Sequence, residues 1–309
     1  ERFPILKLDF VYLIHFVEYL HLGGTDYVVQ EQLMTGTSPF QSIQVKDLDL
    51  YGRALFLDDE LQSATSDEKI YHESLVLPSL TFHPSPRSVF IAGGGEGGTA
   101  REVLRCKDVE KCMMVDIDGE VVAACRSFLP YNPCWTDPRL ELIIDDAEKA
   151  IRATSDTFDV IIMDLSDPTP HGPCWHLYTI EFFTFLKTKL NPGGILVSQC
   201  GPAVRPFRES VFFPIQNTIK QVFTHVKCYT CHIPSFQDPY SFTIASQDNT
   251  LSLSPAEITE KCYEKYAGDN EHYDGETHTH MFSLPKRVRE GVERETGVVS
   301  LEKPRFMPA

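Results

Sequence analysis

Apolar and polar residues alternate along this chain with two different periods. Between about residues 25 and 66 short runs of alternating character, Asp26–Glu31, Phe40–Val45, Arg53–Leu57 and Glu60–Thr65, are separated by turn residues. A period of two marks strands with one buried face. Asp47-Leu48-Asp49-Leu50-Tyr51-Gly52 reads as a hairpin connection. The stretch is expected to form a small antiparallel unit. A helical run, Asp67–Leu80, then leads to Pro84 and Pro86, which mark a boundary. The expected division is a β-rich unit over 1–80 and a larger unit over 81–309.

From Ser88 the pattern changes to strand, loop and helix, repeated. Apolar runs at Ser88–Ala92, Cys112–Val115, Leu140–Ile144, Asp159–Met163 and Ile195–Ser198 predict strands. Helical patterns lie between them at Thr99–Cys106, Gly119–Leu129, Ala147–Ala153 and Tyr178–Leu190, the last stopped by Asn191-Pro192-Gly193-Gly194. Alternating β and α elements imply an α/β fold with a parallel sheet covered on both faces. Val226–Ile233 and Ser241–Ser246 are expected to close that sheet as a hairpin. The tail from about 250 reads as one helix, Pro255–Tyr266, followed by a polar loop.

Composition narrows the partners. The chain has 309 residues with 44 Asp+Glu against 28 Lys+Arg, a formal charge of −16. That balance argues against nucleic acid, for which nothing supplies a basic footprint. It favours a cationic substrate, although a solvated acidic surface has the same composition. Nine cysteines, scattered singly through apolar stretches, suit reduced thiols in a cytoplasmic setting better than a disulfide framework. The one Cys-x-x-Cys, Cys228 and Cys231, lies in a strand-like run and reads as packing. No run approaches the ~20 apolar residues of a spanning helix, because Asp9, His15 and Glu18 interrupt the apolar stretch around Phe10–Leu20. No membrane partner is expected, and the chain begins at Glu1, which leaves open a targeting segment ahead of it.

Candidate chemistry begins at Gly93-Gly94-Gly95-Glu96-Gly97-Gly98, which follows a strand and opens a helix. The spacing satisfies the dinucleotide fingerprint, but Glu96 stands where a pyrophosphate would sit on the helix N-terminus. Two like charges there would repel by ~4 kcal/mol at ~4 Å and an effective dielectric of ~20. A cationic sulfonium donor without phosphate reverses that sign. The plainer reading is an acid favouring the helix N-terminus. Further acids follow successive strands: Asp116 and Asp118, Asp145 and Asp146, then Asp164 and Asp167. In an open α/β sheet ligands bind beyond those strand ends, where ribose hydroxyls and an adenine amino group need acceptors. A single Asp there is usually a turn former or helix cap. Asp164-Leu165-Ser166-Asp167-Pro168 places two carboxylates just past a buried strand, suited to taking a proton from a polyamine while holding its other ammonium groups.

Tyr71-His72-Glu73, the glycine loop, Val115-Asp116-Ile117-Asp118, Asp145-Asp146-Ala147, Asp164–Pro168 and Gly172-Pro173 together resemble the polyamine aminopropyltransferases, the spermidine synthase family. The similarity runs over roughly residues 25 to 285 and includes Tyr273–His278 and Met281–Lys286. It implies a methyltransferase-like Rossmann domain with a seven-stranded, mostly parallel sheet, and a small N-terminal antiparallel β domain. It also implies transfer of an aminopropyl group from decarboxylated S-adenosylmethionine as co-substrate, with no other cofactor and no metal. His272, His278 and His280 are then read as surface loop residues. By resemblance Asp164 is the general base. Gln41, Glu96, Asp116, Asp146, Ala147, Asp164 and Pro173 face the donor. Tyr71, His72, Glu96, Asp164, Asp167 and Phe236 face the acceptor. A dimer or tetramer is implied.

Within the family, Gly172-Pro173-Cys174, Leu177-Tyr178-Thr179 and His232–Phe236 look most like the thermospermine synthase branch, which implies spermidine as acceptor. Spermidine synthase, with putrescine as acceptor, and spermine synthase are the alternatives. Phe40 before Gln41 and Tyr240-Ser241-Phe242 depart from the family's usual tyrosine and Trp-rich stretch. Two other classes fit the fold. A methyltransferase would bring its donor's carboxylate against Glu96, and a polyamine- or nucleoside-sensing module would have no need of a base.

Overall fold

The computed structural model of the chain describes residues 18–22, 25–129, 132–203 and 210–307. Most of the apolar stretch around Phe10–Leu20 therefore lies outside the described residues. Five strands, β1 (Glu18–Leu22), β2 (Thr25–Thr37), β3 (Ser42–Leu48), β4 (Gly52–Leu57) and β5 (Glu60–Ala64), form an antiparallel meander in chain order. Strand β2 runs six residues past the predicted Glu31. Irregular register between Val29 and Glu31, and again between Gln32 and Met34, breaks the two-residue period that marked it.

The larger unit follows: α1 (Glu68–Phe82), β6 (Ser88–Gly93), α2 (Gly98–Arg105), β7 (Lys111–Asp116), α3 (Gly119–Phe128), β8 (Leu140–Ile144), α4 (Ala147–Ala153) and β9 (Phe158–Asp164). It continues with α5 (Ile180–Lys189), β10 (Leu190–Pro202), α6 (Phe212–Val222), β11 (His225–His232), β12 (Pro239–Ser246), α7 (Pro255–Lys265), α8 (Gly275–Phe282) and α9 (Lys286–Arg294). The sheet order is β11-β12-β10-β9-β6-β7-β8. Strands β6 to β10 are parallel, and β12 pairs antiparallel with both β10 and β11, the expected edge hairpin.

The unbroken apolar runs have a simple cause. Val89 and Ile91 of β6 face one helical layer with Leu75, Leu80 and Val103, while Phe90 and Ala92 face the other with Phe183 and Ile215. A strand buried on both faces has no polar side to show. Helix α1, which crosses the predicted division at residue 80, buries Leu75, Val76 and Leu77 in this core. The small sheet meets the large unit through Ile43, Val45 and Leu55 against Val121, Ala124 and Cys125 of α3.

Three helices escaped the pattern. Helix α6 is mostly buried, its polar Gln216, Asn217 and Thr218 included. Helices α8 and α9 replace the predicted polar loop. Asp274 caps α8 by accepting from the Thr277 N–H at 2.8 Å. Gly275 passes so close to α7 that a Cβ would lie 1.9 Å from the Pro255 carbonyl oxygen. These helices are short and polar, and tertiary packing supplies their stability. His278 is consequently not a surface residue. It is 8 % exposed, stacks on Phe282 with centroids 4.2 Å apart, and its Nδ1 meets the Tyr273 hydroxyl at 2.8 Å. Burial lowers its imidazole to about 4. His280 is exposed on α8, and His272 is half-buried with Nε2 3.2 Å from Cys231 Sγ. Among the described residues no helix is long and apolar enough to cross a membrane.

Candidate active site

Strand order reverses between β6 and β9, and a crevice opens beyond the carboxyl ends at such a switch point. Gly93, ending β6, is paired with Asp164, ending β9. Gly93 has φ +82°, and a Cβ there would lie 2.1 Å from the Asp164 carbonyl oxygen, so only glycine fits. The Gly94 N–H donates to that oxygen at 3.1 Å. The glycine loop is thereby laid against the acid-bearing turn.

On the β7 side, Asp116 accepts from the Gly95 N–H at 2.8 Å and the Asp118 N–H at 2.9 Å. Burial outweighs those bonds and raises its carboxyl to about 6. Asp118 caps α3 through Oδ1, while its Oδ2 accepts from Ser38 Oγ at 2.6 Å and Gln41 Nε2 at 2.9 Å. Gln41 therefore ties the small sheet to the rim of the crevice. Asp146 caps α4 by accepting from the Lys149 N–H at 2.9 Å, with Ala147 buried behind it. Asp145 is turned outward to Lys149 Nζ at 2.8 Å. Pro173 is half-buried in the loop after β9.

The acid pair of that loop is held by hydroxyls. Asp164 Oδ1 accepts from the Tyr71 hydroxyl at 2.8 Å and Oδ2 from Thr99 Oγ1 at 2.6 Å. Asp167 Oδ1 accepts from the Tyr240 hydroxyl at 3.0 Å and Gln199 Nε2 at 3.3 Å. Burial, with the carboxylates beside them, pushes both phenols well above their ordinary range, so each stays a donor. Phe236 completes an aromatic wall, 6.0 Å from the Tyr71 ring and 5.2 Å from Tyr240. Its short turn is fixed from below by Asp67, which accepts from the Ser235 N–H at 2.6 Å and Oγ at 2.9 Å.

Glu96 does not stand alone in the loop. Its carboxylate meets His72 Nε2, and Nδ1 of the same ring meets Glu68 Oε2 at 2.7 Å. Glu68 takes a two-pronged bond from Arg101, at 3.0 and 2.8 Å, and Arg101 Nε reaches Glu102 at 2.8 Å. Burial by itself would lower the imidazole. The two carboxylates prevail and raise it to about 10, so His72 is an imidazolium at neutral pH. Burial likewise opposes the Glu68 charge, yet its cationic partners hold it down to about 2. His72 is 1 % exposed, so it acts on the crevice through Glu96 and does not line a groove. The like-charge argument from the sequence is softened accordingly, because the acid of the loop carries its own counterion.

The structure thus gathers Glu96, Asp116, Asp164 and Asp167 around one switch point, with Tyr71 bonded to Asp164 and Phe236 packed beside it, and Gln41, Asp146, Ala147 and Pro173 farther out. Sequence reasoning missed Thr99 and Gln199. Gln199 carried a usable signal, since it follows the apolar run Ile195–Ser198 as the acids follow theirs. Its amide spans the turn, donating to the Tyr178 hydroxyl at 2.7 Å and to the Leu165 carbonyl.

A family model described as "Spermine/spermidine synthase domain" matches residues 68–255. The chain belongs to the spermine/spermidine synthase family. It is 42 % identical over 283 residues to thermospermine synthase ACAULIS5 of Arabidopsis thaliana, covering 91 % of this chain and 83 % of that protein. A polyamine aminopropyltransferase of Aeropyrum pernix is 38 % identical and covered over 91 % of both chains. A spermidine synthase solved with the transition-state analogue AdoDATO superposes with a TM-score of 0.82 at 28 % identity, covering 90 % of this chain and 94 % of that one. Spermidine synthase from Thermotoga maritima gives 0.79 at 28 % identity, with 90 % and 93 % covered. As a member of this family the chain is an aminopropyltransferase-type enzyme, on the methyltransferase-like fold that its two sheets display.

Proposed function

We propose that this enzyme moves an aminopropyl group from decarboxylated S-adenosylmethionine to spermidine, giving thermospermine and methylthioadenosine. The observation that carries the reading is Asp164, oriented by two hydroxyls at the switch point and flanked by Asp167, Asp116 and Glu96. An ammonium cannot attack until it loses a proton, and Asp164 keeps lone pairs to accept one. The freed amine forms the new C–N bond at the carbon beside sulfur. The C–S bond breaks, its electron pair returns to sulfur, and a neutral thioether leaves. Positioning supplies most of the acceleration, since the sulfonium is already a good leaving group.

In this reading Glu96 holds the amine end of the donor with His72 as its positioning partner. Asp116 takes the ribose hydroxyls, Asp146 and Ala147 meet the adenine, Pro173 packs near it, and Gln41 closes the donor side. Asp167, Tyr71 and Phe236 hold the acceptor. Spermidine is favoured over putrescine because Phe236 offers a ring and no hydroxyl, whereas a triamine can spread its charges among the acids. The 42 % identity to the Arabidopsis thermospermine synthase supports the same choice. The proposal includes a cytoplasmic homo-oligomer, a dimer or tetramer of the 35.0 kDa chain.

The test is incubation with decarboxylated donor and several amines, followed by chromatography that separates thermospermine from spermine, its isomer of equal mass. Thermospermine from spermidine is expected. Much faster use of putrescine would make the enzyme a spermidine synthase. Asp164→Asn should fold and lose ~10²–10⁴-fold in turnover, the usual effect of removing a positioned base. Near-normal turnover would move the base elsewhere.

A further inference from the structure

After α9 the chain turns back across the molecule. Glu295 Oε1 accepts from the N–H groups of Thr296 and Gly297, at 2.9 and 2.6 Å, and closes the turn. The Gly297 carbonyl accepts from Asn217 Nδ2 at 2.8 Å, and the Val299 N–H donates to Thr218 Oγ1 at 2.8 Å. The Val299 carbonyl accepts from the Ile180 N–H at 2.9 Å, and the Val299 side chain is 2 % exposed. Residues 297–299 are therefore anchored on α6 and the start of α5.

From that anchor the tail reaches the loop that follows β9. The Met307 N–H donates to the Pro168 carbonyl at 2.7 Å. The Phe306 ring stands edge-on to Trp175, with centroids 6.0 Å apart and planes at 73°. Pro168 directly follows Asp167, and Trp175 comes two residues after Pro173. The inner edge of this loop is bound to the body: the Tyr178 hydroxyl donates to the Ser166 carbonyl at 3.1 Å, and Cys174 Sγ lies 3.2 Å from the same oxygen. The tail holds the same loop at Pro168, directly after Asp167, and at Trp175, just beyond Pro173.

We infer that residues 304–307 form a strap that positions the 167–175 loop and so sets the affinity for donor and acceptor together. Phe306 and Met307 are positioning residues that touch neither substrate. The inference rests on the roles proposed above for Asp167 and Pro173. An exposed loop has little local stability of its own. Loosening it lowers the fraction of enzyme able to bind, and apparent affinity falls in proportion. The chemical step, once both substrates are seated, is left alone.

Two variants isolate the strap while leaving its Val299 anchor intact. Met307→Pro removes the N–H that donates to the Pro168 carbonyl, and Phe306→Ala removes the ring on Trp175. Each should raise KM for the decarboxylated donor and for the amine by about three- to ten-fold, with kcat within about two-fold, as expected for the loss of one modest contact. Hydrogen exchange at the amides of 169–174 should quicken in both variants, and thermal melting verifies that they are folded. Unchanged KM values overturn the inference, as does a fall in kcat at constant KM or unchanged exchange across the loop. Wild-type protein that transfers nothing to any amine would defeat the proposed function instead. The exchange comparison then decides the strap by itself.

Discussion

Glu68→Gln tests the buried charge chain beneath the glycine loop. His72 stands at about 10 against an ordinary 6.5, and at 1.36 kcal/mol per pH unit that gap corresponds to at most about 5 kcal/mol of folding stability. The folded value is the higher one, so the contribution is complete below 6.5 and is lost as pH rises toward 10. Glutamine removes one of the two carboxylates that hold the imidazolium, while Glu96 remains on Nε2 and Glu102 remains on Arg101. Breaking one side of a buried pair usually costs about 3–5 kcal/mol, and with those partners kept we expect about 2–4 kcal/mol near pH 6. In the variant the folded imidazole lies nearer its ordinary value, so the gap between wild type and variant should narrow as pH approaches about 9.5, leaving the share that comes from the Arg101–Glu68 pair. Urea unfolding of both proteins across that range measures the difference. A gap that stays the same at every pH, or one below about 1 kcal/mol near pH 6, would refute the reasoning.

Three other outcomes follow from the same geometry. Glu96→Gln should weaken the decarboxylated donor and narrow its advantage over S-adenosylmethionine, by roughly ten-fold or less because His72 already balances the acid; calorimetric titration of both donors decides it, and an unchanged ratio would remove Glu96 from donor selection. Phe236→Tyr should raise putrescine use relative to spermidine by about five-fold, the worth of one hydrogen bond, read as a ratio of kcat/KM values; no change would place the specificity elsewhere in the groove. Gly98→Ala should cost roughly 1–3 kcal/mol by overpacking, since a Cβ would lie 2.3 Å from the His72 ring, which two carboxylates prevent from moving aside; an unshifted melting temperature would show that the ring can yield.

Much of the site was legible because its signals are local. A glycine run between a strand and a helix, and acids placed directly after buried strands, are patterns within a few residues, and the parallel sheet brings such ends to one edge. The alternation that marked β3, β4 and β5 is local in the same sense. Strand β2 was cut short because its irregular register interrupts the period. Helices α8 and α9 were missed because short polar helices have no stability of their own and draw it from contacts such as Gly291 passing against the Phe213 ring.

The sequence by itself therefore determined the alternating α/β pattern and the order of the strands' acids, both properties of neighbouring residues, while the choice of Asp164 as general-base candidate came from the family resemblance. Only the tertiary structure decided what each acid meets. Tyr71 and Asp164 are 93 residues apart and share a hydrogen bond. His72 looked like a groove residue and proves to be a buried counterion to Glu96, and His278 looked exposed and lies in the core. Met307 reaches Pro168 across 139 residues of chain. Charge pairing and burial depend on distance through space, and no periodicity along the chain carries that information.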